Sequence, residues 1–104
     1  MVGIDLVNLS EFKKRFRSIS LEKTFLPIEL SENLKPESLA GVFAAKEAFF
    51  KALGAKENWL DVWIEKDAKG KPSLKSSLLK ANQKAQISIS HSGDYAIAIV
   101  FLDL

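Results

Sequence analysis

The stretch Phe43-Ala44-Ala45-Lys46-Glu47-Ala48-Phe49-Phe50-Lys51-Ala52-Leu53-Gly54 decides how this chain folds. Pro36 suits the first turn of a helix and Gly54 a position just past its end. Between them Leu39, Val42, Phe43, Phe50 and Leu53 fall on one apolar stripe, widened by Phe49. Taking Leu39 as zero and ~100° per residue, Glu47 falls near ~80° and Lys51 near ~120°, at the border between buried and wet. Lys46 falls near ~340°, inside the stripe, so its ammonium must snorkel to water or find a partner. A carboxylate suits a hard divalent cation and an amine suits a phosphate. Glu47 and Lys51 are therefore either half of a metal–phosphate site or an ordinary surface ion pair at i and i+4.

Residues 2 to 7 alternate as a strand does, with Val2, Ile4 and Leu6 on one face and Gly3, Asp5 and Val7 on the other. Ser10 is placed to cap a short helix through Arg17, with Phe12 and Phe16 on its inner side. Phe25 to Leu30 reads as a further turn or short helix. Asp61 to Lys66 alternates again, and Asp67 to Pro72 is a turn. Leu74 to Lys84 reads as a short, partly amphipathic helix. Gln86 to Ser92 and Tyr95 to Leu102 are strands joined at Gly93-Asp94, a hairpin signal. The expectation is an α+β domain over residues 1–104, with a small antiparallel sheet packed on one long helix and shorter helices.

The chain has 104 residues, 47% hydrophobic, with 15 Lys and Arg against 13 Asp and Glu. A net charge of +2 is too mild for a nucleic-acid binder, which needs a clustered basic face. The absence of cysteine excludes disulfides, thiolate metal sites and Cys nucleophiles. No apolar run approaches the ~20 residues needed to span a bilayer, and the N-terminus lacks a signal-peptide pattern, so a cytoplasmic protein without membrane partners is expected. A domain of this size buries only about two-thirds of its unfolded surface, which makes an oligomer plausible.

Asp5 interrupts an apolar strand. It is either exposed on a half-solvated strand or the second carboxylate of the site that Glu47 begins, since a carboxylate among apolar neighbours needs a partner or a metal. His91, the only histidine, shares parity with Ile87 and Ile89. It is either a core-facing or edge residue or a phosphate or base contact at a strand end. Ser88 and Ser90 read as solvent-facing. Gly70-Lys71-Pro72 is either a plain turn or a lysine and proline ring set against a nucleotide.

Taken in order, these pieces resemble the acyl-carrier-protein synthase group of the 4′-phosphopantetheinyl transferase superfamily. Gly3-Ile4-Asp5-Leu6-Val7 resembles its first strand, and Phe43 to Gly54 its signature helix. Asp61 to Lys66 with Gly70-Lys71-Pro72 resembles its middle strand and turn, and Ile87 to Ser92 followed by Tyr95-Ala96, Ala98 and Val100 its closing hairpin. The resemblance implies transfer of the phosphopantetheine arm of coenzyme A to a serine of an apo acyl carrier protein, releasing adenosine 3′,5′-bisphosphate. It implies that Asp5 and Glu47 hold Mg²⁺, with Asp5, Glu47 and Lys51 as the catalytic set. Glu47 by preference, or a metal-bound water, would take the serine proton. Lys46, Lys51, Gly70, Lys71, Pro72, Ser90 and His91 would lie along coenzyme A. It further implies a homotrimer with sites between subunits.

Two positions depart from the group's pattern. Val42 stands where arginine is common, which leaves the grip on a coenzyme A phosphate to Lys46, Lys51, Lys71 or a neighbouring chain. Glu11 stands where several members carry a basic residue that docks the acidic carrier, although Lys13, Lys14, Arg15 and Arg17 lie close by. These departures leave open a non-catalytic relative that binds coenzyme A or a carrier.

Overall fold

A glycine lets the first strand lie hard against the long helix. Strand β1 (Val2–Asn8) alternates exposed and buried residues, with Gly3, Asp5 and Val7 turned inward. A Cβ on Gly3 would sit 2.7 Å from the backbone nitrogen of Ala52 and closer still to the Ala48 carbonyl oxygen. Only glycine permits that approach. It sets Asp5, two residues on and on the same face, over the helix carrying Glu47 and Lys51. The computed structural model describes residues 1–103. Leu104, the last position of the expected domain, lies outside them.

The remaining elements follow in order: α1 (Leu9–Ser18), α2 (Pro27–Glu32), α3 (Pro36–Leu53), β2 (Val62–Lys66), β3 (Pro72–Ser76), β4 (Ala85–Ser92) and β5 (Tyr95–Leu102). The sequence is thus β–α–α–α–β–β–β–β, an α+β fold with two antiparallel sheets. One has strand order β1-β5-β4, and the other pairs β2 with β3. Helix α3 packs across the inner face of the three-stranded sheet, meeting Ala96, Ala98, Val100 and Leu102 of β5. Phe12, Phe16, Phe25, Phe43 and Trp59 close the other side of α3, with Phe43 stacked on Trp59 at 5.1 Å. No helix among the described residues is long and apolar enough to cross a membrane.

Two local expectations are corrected. Leu74–Lys84 is not a helix. Its first residues form β3, where Leu74 pairs with Ile64 and Ser76 with Val62, and turns follow to Gln83. Ladder pairing with β2 gives Pro72–Ser76 long-range hydrogen bonds, whereas an isolated helix of that length is marginal. The cap of α1 is Asn8, whose side-chain oxygen accepts from the Glu11 backbone N–H at 3.0 Å, and Ser10 lies inside the helix. The ends of α3 are as read: Pro36 opens it, and Gly54 closes it at φ 68° with its N–H donating to the Phe50 carbonyl.

Candidate active site

Asp5 faces inward and is only 8% exposed. Its Oδ1 accepts a hydrogen bond from Lys51 Nζ at 2.8 Å, and the same ammonium donates to the Ile4 carbonyl at 3.1 Å. Lys51 therefore reaches across to β1. It pairs with Asp5, not with Glu47 four residues before it. That contact, above all the hydrogen bond to Asp5, raises the Lys51 pKa and keeps it a cation.

Glu47 is half-buried, one turn before Lys51 on the same face of α3. Its pKa is pushed up from 4.5 to about 7. Desolvation is the main cause, followed by the charge of Asp5 and a hydrogen bond with it, while Arg15 and Lys51 pull the other way. A bond between two carboxyl groups needs a proton on one of them. With both ionised, the buried Asp5 Oδ2 has no donor at all.

An orphaned buried carboxylate oxygen beside a second, partly desolvated carboxylate fits a hard divalent cation, which takes oxygen ligands. No set of three or more His, Cys, Asp or Glu side chains gathers among the described residues. The carboxylate pair would thus hold a metal that draws its remaining ligands from water and phosphate, the usual habit of Mg²⁺.

The other expected contacts are not gathered here. His91 lies on the edge strand β4, exposed, with Nε2 within 3.0 Å of the Glu37 carbonyl in the first turn of α3. A side chain at Gly41 would strike that ring, since its Cβ would come within 2.8 Å of Nε2. His91 pairs with Ala96 and Asp5 with Ala98, on opposite sides of β5. Two strand spacings and two residues along put them ~12 Å apart. Ser90 is exposed on β4. Lys71 stands in the β2–β3 turn, where its backbone N–H donates to Asp67 Oδ1 at 2.9 Å, Gly70 adopts φ 82° and Pro72 opens β3. No hydrogen bond or ion pair ties that turn to Asp5, Glu47 or Lys51.

Lys46 is a correction. It is fully buried, its Nζ donating to Glu29 Oε1 and to the Thr24 carbonyl, each at 2.7 Å, over the Phe25 ring. Glu29 in turn accepts from the Leu26 and Ile64 backbone N–H groups. Burial lowers the Lys46 pKa, and Glu29 opposes that. An ammonium so committed ties α3 to α2 and β2 and has no surface to offer a phosphate. Glu29 was missed in the sequence, although Pro27 with an acid two residues later is a helix-start signal. The sequence offers Arg15 only as one of the basic residues near Glu11. Its guanidinium lies over the Phe43 ring at 5.2 Å, and its charge reaches Glu47.

Comparison with known proteins places this geometry in a family. Residues 1–100 match the family model of the 4′-phosphopantetheinyl transferase superfamily. The chain is 41% identical over 121 residues to the holo-[acyl-carrier-protein] synthase of Campylobacter hominis, covering 100% of this chain and 98% of that one. Among solved structures it is similar to Helicobacter pylori holo-[acyl-carrier-protein] synthase in complex with coenzyme A, with TM-score 0.89, 36% identity and coverage of 99% and 100%. It is also similar to the Bacillus anthracis synthase in complex with CoA (3′,5′-ADP), with TM-score 0.83, 34% identity and coverage of 97% and 93%. On these matches the chain belongs to the 4′-phosphopantetheinyl transferase superfamily and is an enzyme of its holo-[acyl-carrier-protein] synthase group.

Proposed function

We propose that this chain transfers the 4′-phosphopantetheine arm of coenzyme A to a serine of an apo acyl carrier protein in a Mg²⁺-dependent reaction, releasing adenosine 3′,5′-bisphosphate in the cytoplasm. The observation that carries this reading is buried Asp5 beside half-buried Glu47, with Asp5 Oδ2 unpartnered and Lys51 bonded to Oδ1. Phosphoryl transfer asks a protein mainly for positioning and charge neutralisation. Asp5 and Glu47 would hold Mg²⁺, which when bound neutralises and polarises the pyrophosphate. Lys51, anchored at Oδ1 and at the Ile4 carbonyl but largely exposed, can turn a donor to a phosphate oxygen. Glu47, beside the metal it would hold, is the group placed to take the serine proton, directly or through a metal-bound water.

The nucleotide half of the reading, with Gly70, Lys71, Pro72, Ser90 and His91, does not meet the carboxylate pair within one chain. A second copy could supply it. The outer face of the three-stranded sheet favours such an assembly. Val2, Ile4, Leu6, Ile97, Ile99 and Phe101 are each 39% to 60% exposed there. Cross-strand pairing of Val2 with Phe101, Ile4 with Ile99 and Leu6 with Ile97 makes them one contiguous apolar face. Monomers rarely leave such a face to water. We read it as the homotrimer interface, with each site completed by a neighbour.

Incubation with coenzyme A, Mg²⁺ and a panel of apo carrier proteins should add the mass of the arm to one of them. A folded protein that modifies none would refute the reading.

A further inference from the structure

We propose that Arg15 is a substrate-binding residue, gripping a phosphoryl oxygen of coenzyme A in the cavity beside Asp5 and Glu47. The inference rests on the site reading above and adds to it a residue on a different element.

The placement is specific. Arg15 projects from α1, and its guanidinium carbon lies 5.2 Å from the Phe43 ring centre and 5.7 Å from that of Phe16. Phe43 and Lys51 stand one turn before and one turn after Glu47 on α3. Phe43 and Lys51 are roughly 12 Å apart along the helix axis at 1.5 Å per residue, so Arg15, held against Phe43, and Lys51 flank Glu47 from opposite ends. Between α1, β1 and α3 lies a cavity of about 190 Å³, walled by Asn8, Glu11, Arg15, Phe43 and Glu47.

Among the described residues no carboxylate comes within ion-pair distance of Arg15. Lys46, the other cation near Glu47 in sequence, is spent on Glu29. The cation–π contact with Phe43 holds the guanidinium at the cavity, and among the described residues its N–H groups donate no hydrogen bond. Those groups form a fork matched to two oxygens of a phosphate. Glu47 and Arg15 both wall the cavity, so a phosphoryl group seated there meets the guanidinium beside the carboxylate that would hold the metal. A carrier would meet the outward Lys13, Lys14 and Arg17 instead.

Calorimetry of coenzyme A binding in Mg²⁺ tests the assignment, with steady-state kinetics beside it. Arg15→Met keeps an apolar stem on Phe43 and removes the charge. Its Kd for coenzyme A should weaken about tenfold or more, as loss of a charge-assisted hydrogen bond does. KM for coenzyme A should rise in parallel while KM for the carrier holds. Arg15→Lys, which keeps charge but not the fork, should recover only part. Since Arg15 is exposed, both variants should melt close to wild type, and if Arg15→Met melts early the Arg15→Lys comparison decides. Unchanged coenzyme A affinity in a folded variant overturns the assignment, and a rise in carrier KM alone moves the residue to carrier docking. If the unaltered protein does not bind coenzyme A, the site reading itself falls, and this inference with it.

Discussion

Replacing Glu47 with glutamine should stabilise the fold while abolishing transfer. The unfolded Glu47 carboxyl titrates near 4.5, and the folded one near 7. Between those values the folded state holds the extra proton. The stability this group contributes is therefore fully present below pH ~4.5 and is lost as pH rises through 7. At ~1.36 kcal/mol per pH unit, the whole interval amounts to at most ~3.4 kcal/mol. Glu47 is only half-buried, so solvent screening reduces this to about 1 to 2 kcal/mol, most of it between pH 5 and 8. Glutamine mimics the protonated carboxyl at every pH. Urea unfolding in EDTA at pH 5 and pH 8 gives the comparison, and other titrating groups cancel between the two proteins. Glu47→Gln should be nearly equal to wild type at pH 5 and about 1 to 2 kcal/mol more stable at pH 8. A variant less stable than wild type at pH 8, or a difference that does not grow with pH, would refute the reasoning.

Three further outcomes follow from the packing. Gly3→Ala drives a methyl into the Ala48 carbonyl and the Ala52 nitrogen. It should cost about 3 kcal/mol, a Tm fall of roughly 10 to 20 °C by thermal melt. Lys46→Met strands the Glu29 carboxylate in the interior and should cost about 3 to 5 kcal/mol in urea unfolding. Adding Glu29→Gln should recover part of that, because it removes the stranded charge. Ile99→Lys, in the middle of the exposed apolar sheet face, should shift sedimentation from the proposed trimer toward monomer without loss of helix signal.

How far the site was legible depended on the distance over which its determinants act. Helix α3 carries its own boundaries in Pro36 and Gly54, and its stripe is dense enough to set its buried side. The hairpin of β4 and β5 declares itself through alternation around Gly93-Asp94. Locality failed at Leu74–Lys84, where Leu74, Leu78 and Leu79 imitate helical spacing. Only pairing with β2 reveals a strand. At β1 the alternation was plain, but which face turned inward was not. The apolar residues Val2, Ile4 and Leu6 point out and the carboxylate points in, because Gly3 allows contact with α3. The spacing of Glu47 and Lys51 suggested a helical ion pair, yet Lys51 bonds to Asp5, 46 residues away. Lys46 was seen to need a partner, and the partner was Glu29 in another helix. Charges separated in sequence meet only through the fold, and periodicity carries no record of them.

On the proposed function, Asp5 and Glu47 together hold the divalent cation that receives coenzyme A. Calorimetric titration of coenzyme A into the wild-type protein and Asp5→Asn, with Mg²⁺ or with EDTA, tests it most directly. Wild type should bind tightly only with Mg²⁺, and Asp5→Asn should bind weakly and equally in both conditions. Wild-type affinity that ignores Mg²⁺, or Mg²⁺ dependence that survives in Asp5→Asn, would contradict the account.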